Sequence, residues 1–276
     1  MAGRGDASWH NNIAHAVANW QGEPAAPPIA TDEPDRPPIV PHDTGWSQTP
    51  KVGASNWHSK FGGQEWRFDD KGIYLRAHPT TPLRTPGAPI TVQAILDLYG
   101  QEIQKAATDY GVAPELIVMT IATETGFARS WDFTGPRTFR WEPHVGVNDV
   151  TPHTVGDYSA GPMQTLATTA REVIHNMGLN YPNRFQVALY YPTKPDPAPA
   201  THPLYAGPAN IDIGTAEIKT RWPATGPDPI LVAAAFNAGG VYASTQNVWH
   251  LRSHGDHLDR AAKWFGDACF VLSSLR

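Results

Sequence analysis

Apolar residues fall at helical intervals over most of the second two thirds of the chain. Val92, Ile95, Leu96, Tyr99, Ile103, Ala106 and Tyr110 recur at steps of three and four, and Gly111 closes the run, which predicts an amphipathic helix. The next segment, Pro114 to Gly126, is different: Leu116, Ile117, Val118, Met119, Ile121 and Ala122 go round every side, so this helix is expected in the core. Met163, Leu166, Ala170, Val173, Ile174 and Met177 predict a further helix closed by Gly178. Ile213 to Trp222, Ile230 to Asn237 and His257 to Leu272 predict three more. Between them, Phe127 to Tyr158 reads as one long loop rich in Trp, Pro, His and acids, and long loops in compact domains commonly carry function. The pattern after Leu75 contains no strong strand signal.

Before Thr91 the chain reads otherwise. Ile13 to Trp20 fits a short helix, and Glu23 to Pro41 is a proline-rich stretch expected to stay extended. Trp66-Arg67-Phe68 and Ile73-Tyr74-Leu75 flank the turn signal Asp69 to Gly72, which predicts a small hairpin. The fold class expected is therefore mainly α, with residues 1–90 an extended proline-rich N-terminal arm bearing a short β-hairpin and residues 91–276 the helical domain. A hairpin and one short helix cannot close a core alone, so the arm is read as an attachment or docking segment.

Composition narrows the class of partner. The 276 residues are 41% hydrophobic, enough for one sizeable core, and hold no run of the ~18 apolar residues that a membrane-spanning helix needs. A net charge of −5 argues against nucleic acid and provides no bulk attraction to an anionic surface. The single Cys269, set among Ala268, Phe270 and Val271, excludes an internal disulfide and reads as a buried small hydrophobe. Behind the first Arg no apolar stretch follows, so no secretory leader is expected and the protein is expected to be made in the cytoplasm. His144, His153, His250, His254, Asp256 and His257 have no compact ligand spacing, and neither a metal nor another cofactor is expected.

The candidate chemistry starts from Glu124. On the last turn of a buried helix, desolvation and the negative end of the helix dipole both disfavour the carboxylate, so the acid is expected to stay protonated near neutral pH. Three segments accompany it: Tyr110-Gly111-Val112 leading to Glu124-Thr125-Gly126-Phe127, then Ser159-Ala160-Gly161-Pro162-Met163-Gln164, then Ala234-Ala235-Phe236-Asn237-Ala238-Gly239-Gly240. With Ala209-Asn210-Ile211-Asp212-Ile213-Gly214 ahead of the third, the ordered set over Thr91 to Phe265 resembles the lytic transglycosylase and goose-type lysozyme family, which cleaves peptidoglycan with a lysozyme-like fold. Arg140-Trp141-Glu142-Pro143, Thr151-Pro152-His153 and the pair His257 and Arg260 are similar to segments found in one subgroup of it. Three positions depart from the family pattern, with Thr125 in place of Ser, Pro162 in place of Leu and Phe236 in place of Tyr.

The resemblance implies that Glu124 is the acid and base, and that glycan strands of peptidoglycan are the partner. Tyr158, Ser159, Gly161, Met163, Gln164, Phe236 and Asn237 fall where substrate contacts are expected. Glu142 has two readings, a second catalytic carboxylate that places water or stabilises positive charge, and an ion-pair partner of Arg140 or Arg137 that pins the loop. Asp157 likewise reads as a water-activating carboxylate or as a turn residue following Gly156. Three functions follow: a lytic transglycosylase, a muramidase using water placed by Glu142 or Asp157, and an inactive structural or targeting component of a phage tail or injection apparatus. For a wall-cutting enzyme without a leader, delivery by a phage particle, a holin or a secretion system is expected, with the N-terminal arm docking on the carrier.

Overall fold

A computed structural model of the chain describes residues 45–126, 138–149 and 154–276, and Asp43–Arg276 form one compact unit. The helix expected over Ile13 to Trp20, the proline-rich stretch, Arg137 and Thr151-Pro152-His153 lie outside the described residues.

The described residues hold eight α-helices and five strands: β1 (Trp66–Asp69), β2 (Gly72–Leu75), α1 (Ile90–Tyr110), α2 (Pro114–Thr125), β3 (Arg140–Val147), β4 (Thr154–Ala160), β5 (Thr165–Leu166), α3 (Ala167–Asn176), α4 (Asn183–Val187), α5 (Gly207–Thr220), α6 (Trp222–Thr225), α7 (Pro229–Ala238) and α8 (His257–Ser273). The mainly helical class is as expected. None of the helices is long and apolar enough to cross a membrane.

Each helix end has a local cause. The α1 run stops where Gly111 takes a left-handed φ of 63° and its N–H closes on the Ala107 carbonyl. Pro114 occupies the first turn of α2, where a missing N–H costs nothing. Asp228 caps α7, its Oδ1 accepting from the N–H groups of Ile230 and Leu231 at 2.9 and 3.0 Å, and Gly239 ends that helix at φ 73°.

Two expectations about secondary structure are corrected. Strands do follow Leu75: β3, β4 and β5 make an antiparallel sheet in that order, with Arg140 opposite Ser159, Trp141 opposite Tyr158 and Glu142 opposite Asp157. The helix expected from Met163 begins only at Ala167, because Gly161 (φ 79°) and Gln164 (φ 48°) turn the chain into β5 first. The boundary near Thr91 is not a packing boundary either. The hairpin forms in the expected place, but Trp46, Val52, Trp66, Phe68 and Ile73 share one core with α1, α2 and α8. Contact there is close enough that a Cβ on Gly266 of α8 would meet the Leu83 carbonyl oxygen at 2.0 Å.

A second, smaller core gathers Tyr158, α3, Leu189, Leu204 and Tyr205. Helix α5 serves both, placing Ile211 and Ile218 in the first cluster and Ile213 and Ala216 in the second.

Trp66 is fully buried where three segments meet. Its indole N–H donates to Asp228 Oδ2 at 3.0 Å and its ring lies edge-on to Trp249 at 5.6 Å. His58 reaches the same carboxylate oxygen at 2.7 Å with Nε2, while Nδ1 lies 2.8 Å from the Asn56 carbonyl. Both neighbours accept hydrogen bonds and neither donates, so the pair of contacts fits the imidazolium, and the Asp228 bond raises the His58 pKa above its ordinary value. A raised folded-state pKa means that the stabilisation is complete below the unfolded value, near 6.5, and fades as pH rises through the folded one. His58 is partly exposed, so His58→Ala is expected to cost about 0.5–1 kcal/mol more at pH 5 than at pH 9. Urea unfolding of both proteins at the two pH values measures this, and an equal cost at both would show that the ring binds as the neutral form.

Candidate active site

Glu124 stands on the last turn of α2, whose residues from Leu116 to Ala122 are almost entirely removed from solvent. The glutamate side chain keeps 18% of its surface open. Burial is the main cause that pushes its pKa up to about 8; Arg260 and Arg140 oppose the rise, and Glu217 and Glu142 add to it. At neutral pH it is therefore a protonated acid, as its sequence position predicts, with part of its side chain open to solvent.

Its neighbours come from α8 and α7. Arg260 Nη1 donates to the Thr123 carbonyl at 2.7 Å, capping the end of α2, and Arg260 Nε donates to Asp256 at 2.9 Å. His257 Nε2 lies 3.8 Å from Glu124 Oε1, too far for a hydrogen bond. Burial first and Arg260 second lower the His257 pKa to about 3, so this is a neutral ring beside a protonated acid, not an ion pair. Half-buried Asn237 adjoins that ring, Nδ2 to Nδ1 at 3.4 Å, and accepts from the His254 N–H at 2.9 Å. Phe236, also half-buried, packs on the main core.

The turn from Ala160 to Gln164 is fastened to both flanking helices. Thr125 Oγ1 shares its proton between the Ile121 carbonyl of its own helix at 2.9 Å and Pro162 O at 3.0 Å. The fully buried Asn210 of α5 accepts from Met163 N–H at 2.7 Å and donates to Ala160 O at 2.9 Å. A Cβ at Gly161 would come within 1.9 Å of the Leu204 oxygen, and one at Gly214 within 2.5 Å of the Met163 sulfur.

Several residues of the expected substrate set are engaged inside the protein. Met163 is wholly buried against Gly214, and Gly161 is needed for its left-handed turn, so neither offers a side chain to a ligand. Tyr158 is buried too: it stacks on Phe139 at 4.7 Å and its hydroxyl pairs with His202 Nε2 at 2.7 Å. Ser159 donates to Gln164 Oε1 at 3.2 Å, and the Gln164 amide donates to Thr138 O at 2.5 Å and Gly161 O at 2.9 Å. Ser159 and Gln164 thus spend their protons within the protein. Asp157 is neither a turn residue nor a free base; from β4 its Oδ2 accepts from the N–H and hydroxyl of Thr168 at the start of α3.

Glu142 is held by Arg140 Nε at 3.1 Å, with His144 Nδ1 at 3.9 Å, so the ion-pair reading of this residue is met. Its charge nonetheless acts on Glu124. Asn210, His257, Arg260 and Glu217 complete the surroundings. Asn210, His257 and Arg260 lay within segments that the sequence singled out without a role, and Glu217 carried no signal. Among the described residues no group of three or more His, Cys, Asp or Glu side chains is arranged to hold a metal ion. No protein-family profile, curated protein or solved structure matches the chain.

A protonation equilibrium displaced this far has a price in stability. In the unfolded chain Glu124 ionises near 4.5, in the folded chain only near 8, so the folded state is increasingly penalised as pH rises across that interval. The neutral replacement Glu124→Gln is expected to stabilise the protein by on the order of 1–3 kcal/mol at pH 9 and by little at pH 4. Thermal unfolding at both pH values tests the sign; a variant less stable at pH 9 than the parent would mean that Glu124 is ionised without penalty.

Proposed function

We propose that the chain is a peptidoglycan lytic transglycosylase with a lysozyme-like catalytic domain, cleaving the β-1,4 bond between N-acetylmuramic acid and N-acetylglucosamine. The observation that carries this reading is Glu124, a partly open carboxylic acid raised to about 8 on the last turn of a buried helix. Its three accompanying segments, alike in order to those of that family, supply the substrate class.

The chemistry asks for one such group. Glu124 donates its proton to the glycosidic oxygen as the bond to the muramyl anomeric carbon breaks. The carboxylate so formed takes the proton of the muramyl 6-hydroxyl, whose oxygen bonds to the same carbon and closes a 1,6-anhydro ring. The N-acetyl oxygen of the substrate supports the positive centre in between. Asn237, half-buried beside His257, is the polar side chain we assign to that group, since Ser159 and Gln164 are engaged with each other. Delivery to the wall by a phage particle, holin or secretion system, with the N-terminal residues as the docking element, belongs to the same reading.

A second reading, a muramidase, is favoured by one observation: Glu142 lies within electrostatic reach of Glu124 and is fixed on β3 by Arg140. With Asp157 bound to Thr168, Glu142 is the carboxylate left to place a water.

Mass spectrometry of digested sacculi separates the two, the transglycosylase releasing muropeptides one water lighter than the hydrolase. Glu124→Gln is expected to lower turnover by about 10²–10⁴-fold. Activity should fall as pH rises past about 8, where Glu124 loses its proton. A Glu124→Gln protein that clears wall material as fast as the parent would remove the acid from the mechanism.

A further inference from the structure

Helix α5 has a second polar face. Asn210 and Gly214, one turn apart, look toward the Ala160 to Gln164 turn. Asp212 lies about 200° round the helix from Asn210 and so faces the other way, into a cleft of about 350 Å³ between α1 and α5. We infer that this cleft is a binding site for a linear aliphatic chain ending in an ammonium group, separate from the Glu124 site.

Around Asp212 the polar end of the cleft presents acceptors. Tyr110 and Tyr181 each give their hydroxyl proton to Asp212, at 2.8 Å to Oδ1 and 2.7 Å to Oδ2. Two phenols thus fix the carboxylate, and the lone pairs left on the three groups need donors from elsewhere. Burial first, and the bond to Asp212 second, raise the pKa of both phenols, so neither adds a negative charge of its own. Glu102 adds a second carboxyl on the same face of α1 as Lys105 and Ala106. Among the described residues lining the cleft Lys105 supplies the one cation; its ammonium is paired with Asp109 and lies within electrostatic reach of Asp212, leaving the carboxyl groups of Glu102, Asp109 and Asp212 in excess.

The rest of the lining is apolar. Ala106, Pro208 and Ala209 form a floor, and the Tyr181 ring, backed by Phe185 at 4.6 Å, forms a wall. An anion would meet two carboxyl groups. A neutral polyol would find acceptors but gain nothing from the charge or the apolar floor. An alkyl chain lays its methylenes on the floor and brings three N–H donors and a positive charge to Asp212 and the Tyr181 face. The cleft is open to water, so millimolar affinity is expected. Free diamines and lysyl-type side chains of peptides share this chemistry.

The test uses the full chain, labelled for amide NMR, and three probes: cadaverine, Nα-acetyl-lysine methylamide and the same amide acetylated at Nε. Saturable shifts at Ala106, Ala209 and Asp212 with either amine, and none with the Nε-acetyl form, are expected. A response to cadaverine alone assigns the site to free diamines, and a response to the lysine amide assigns it to peptide side chains. Asp212→Asn should weaken binding at least about tenfold, and Glu102→Gln, at the rim and outside both cores, should weaken it severalfold with the fold intact by circular dichroism. No saturable shift with either amine, equal shifts with the Nε-acetyl probe, or unchanged binding in Glu102→Gln together with a folded Asp212→Asn overturns the assignment. Since no step reads wall cleavage, the outcome is independent of the Glu124 chemistry.

Discussion

The arrangement depends first on the burial of α2. A helix with no polar face is held from every side, here by α1, α7 and α8, and each large apolar side chain so removed from water contributes about 1.5–3 kcal/mol. That reserve is what lets one carboxylic acid remain at the helix end without its charge. The same burial fixes where the acid points, because a helix packed all round cannot roll. Arg260 then closes the open Thr123 carbonyl, and Thr125 joins the helix end to the neighbouring turn.

Around this helix, several short motifs turn out to be fastenings. Gly161 admits the Leu204 carbonyl, Gly214 admits the Met163 sulfur, and Asn210 bonds to both sides of the turn. Each requires a particular residue because of a close approach or a buried amide, which is why such positions stand out in a sequence even when they touch no ligand. A ligand-contacting residue and a turn-holding residue leave the same mark in one dimension. Tyr158 illustrates the difference: its aromatic character is used inside the second core, against Phe139 and His202.

Legibility followed the strength of the periodic signal. Helices α1, α2, α7 and α8, with 3.6-residue stripes or continuous apolar runs, were readable with their ends, as was the hairpin with its Asp-Asp-Lys-Gly turn. Strand β3 was not, because Glu142, Pro143 and His144 do not alternate and the chain bulges between Glu142 and Gly146. The role of residues 45–89 was hidden for another reason. Trp46, Trp66 and Phe68 are too few to close a core of their own, and nothing local shows that α1, α2 and α8 supply the other half. Glu124 could be singled out because helix position and desolvation are both sequence-readable; Asp212 and His257 depend on pairings far apart along the chain, and Glu217, paired locally with Arg221, bears on Glu124 only through the fold.

Trp66 ties the early strands to α7 and to the loop that carries Trp249, and it does so through one indole N–H on one carboxylate. Indole emission responds to the polarity and charge at its edge. The protein therefore carries an optical reporter at the junction of three sequence-distant segments, in a chain whose other fully buried tryptophan among the described residues is its own edge-on neighbour. Separation of the hairpin from α7, even with every helix intact, would expose that indole to water and shift its light to longer wavelength.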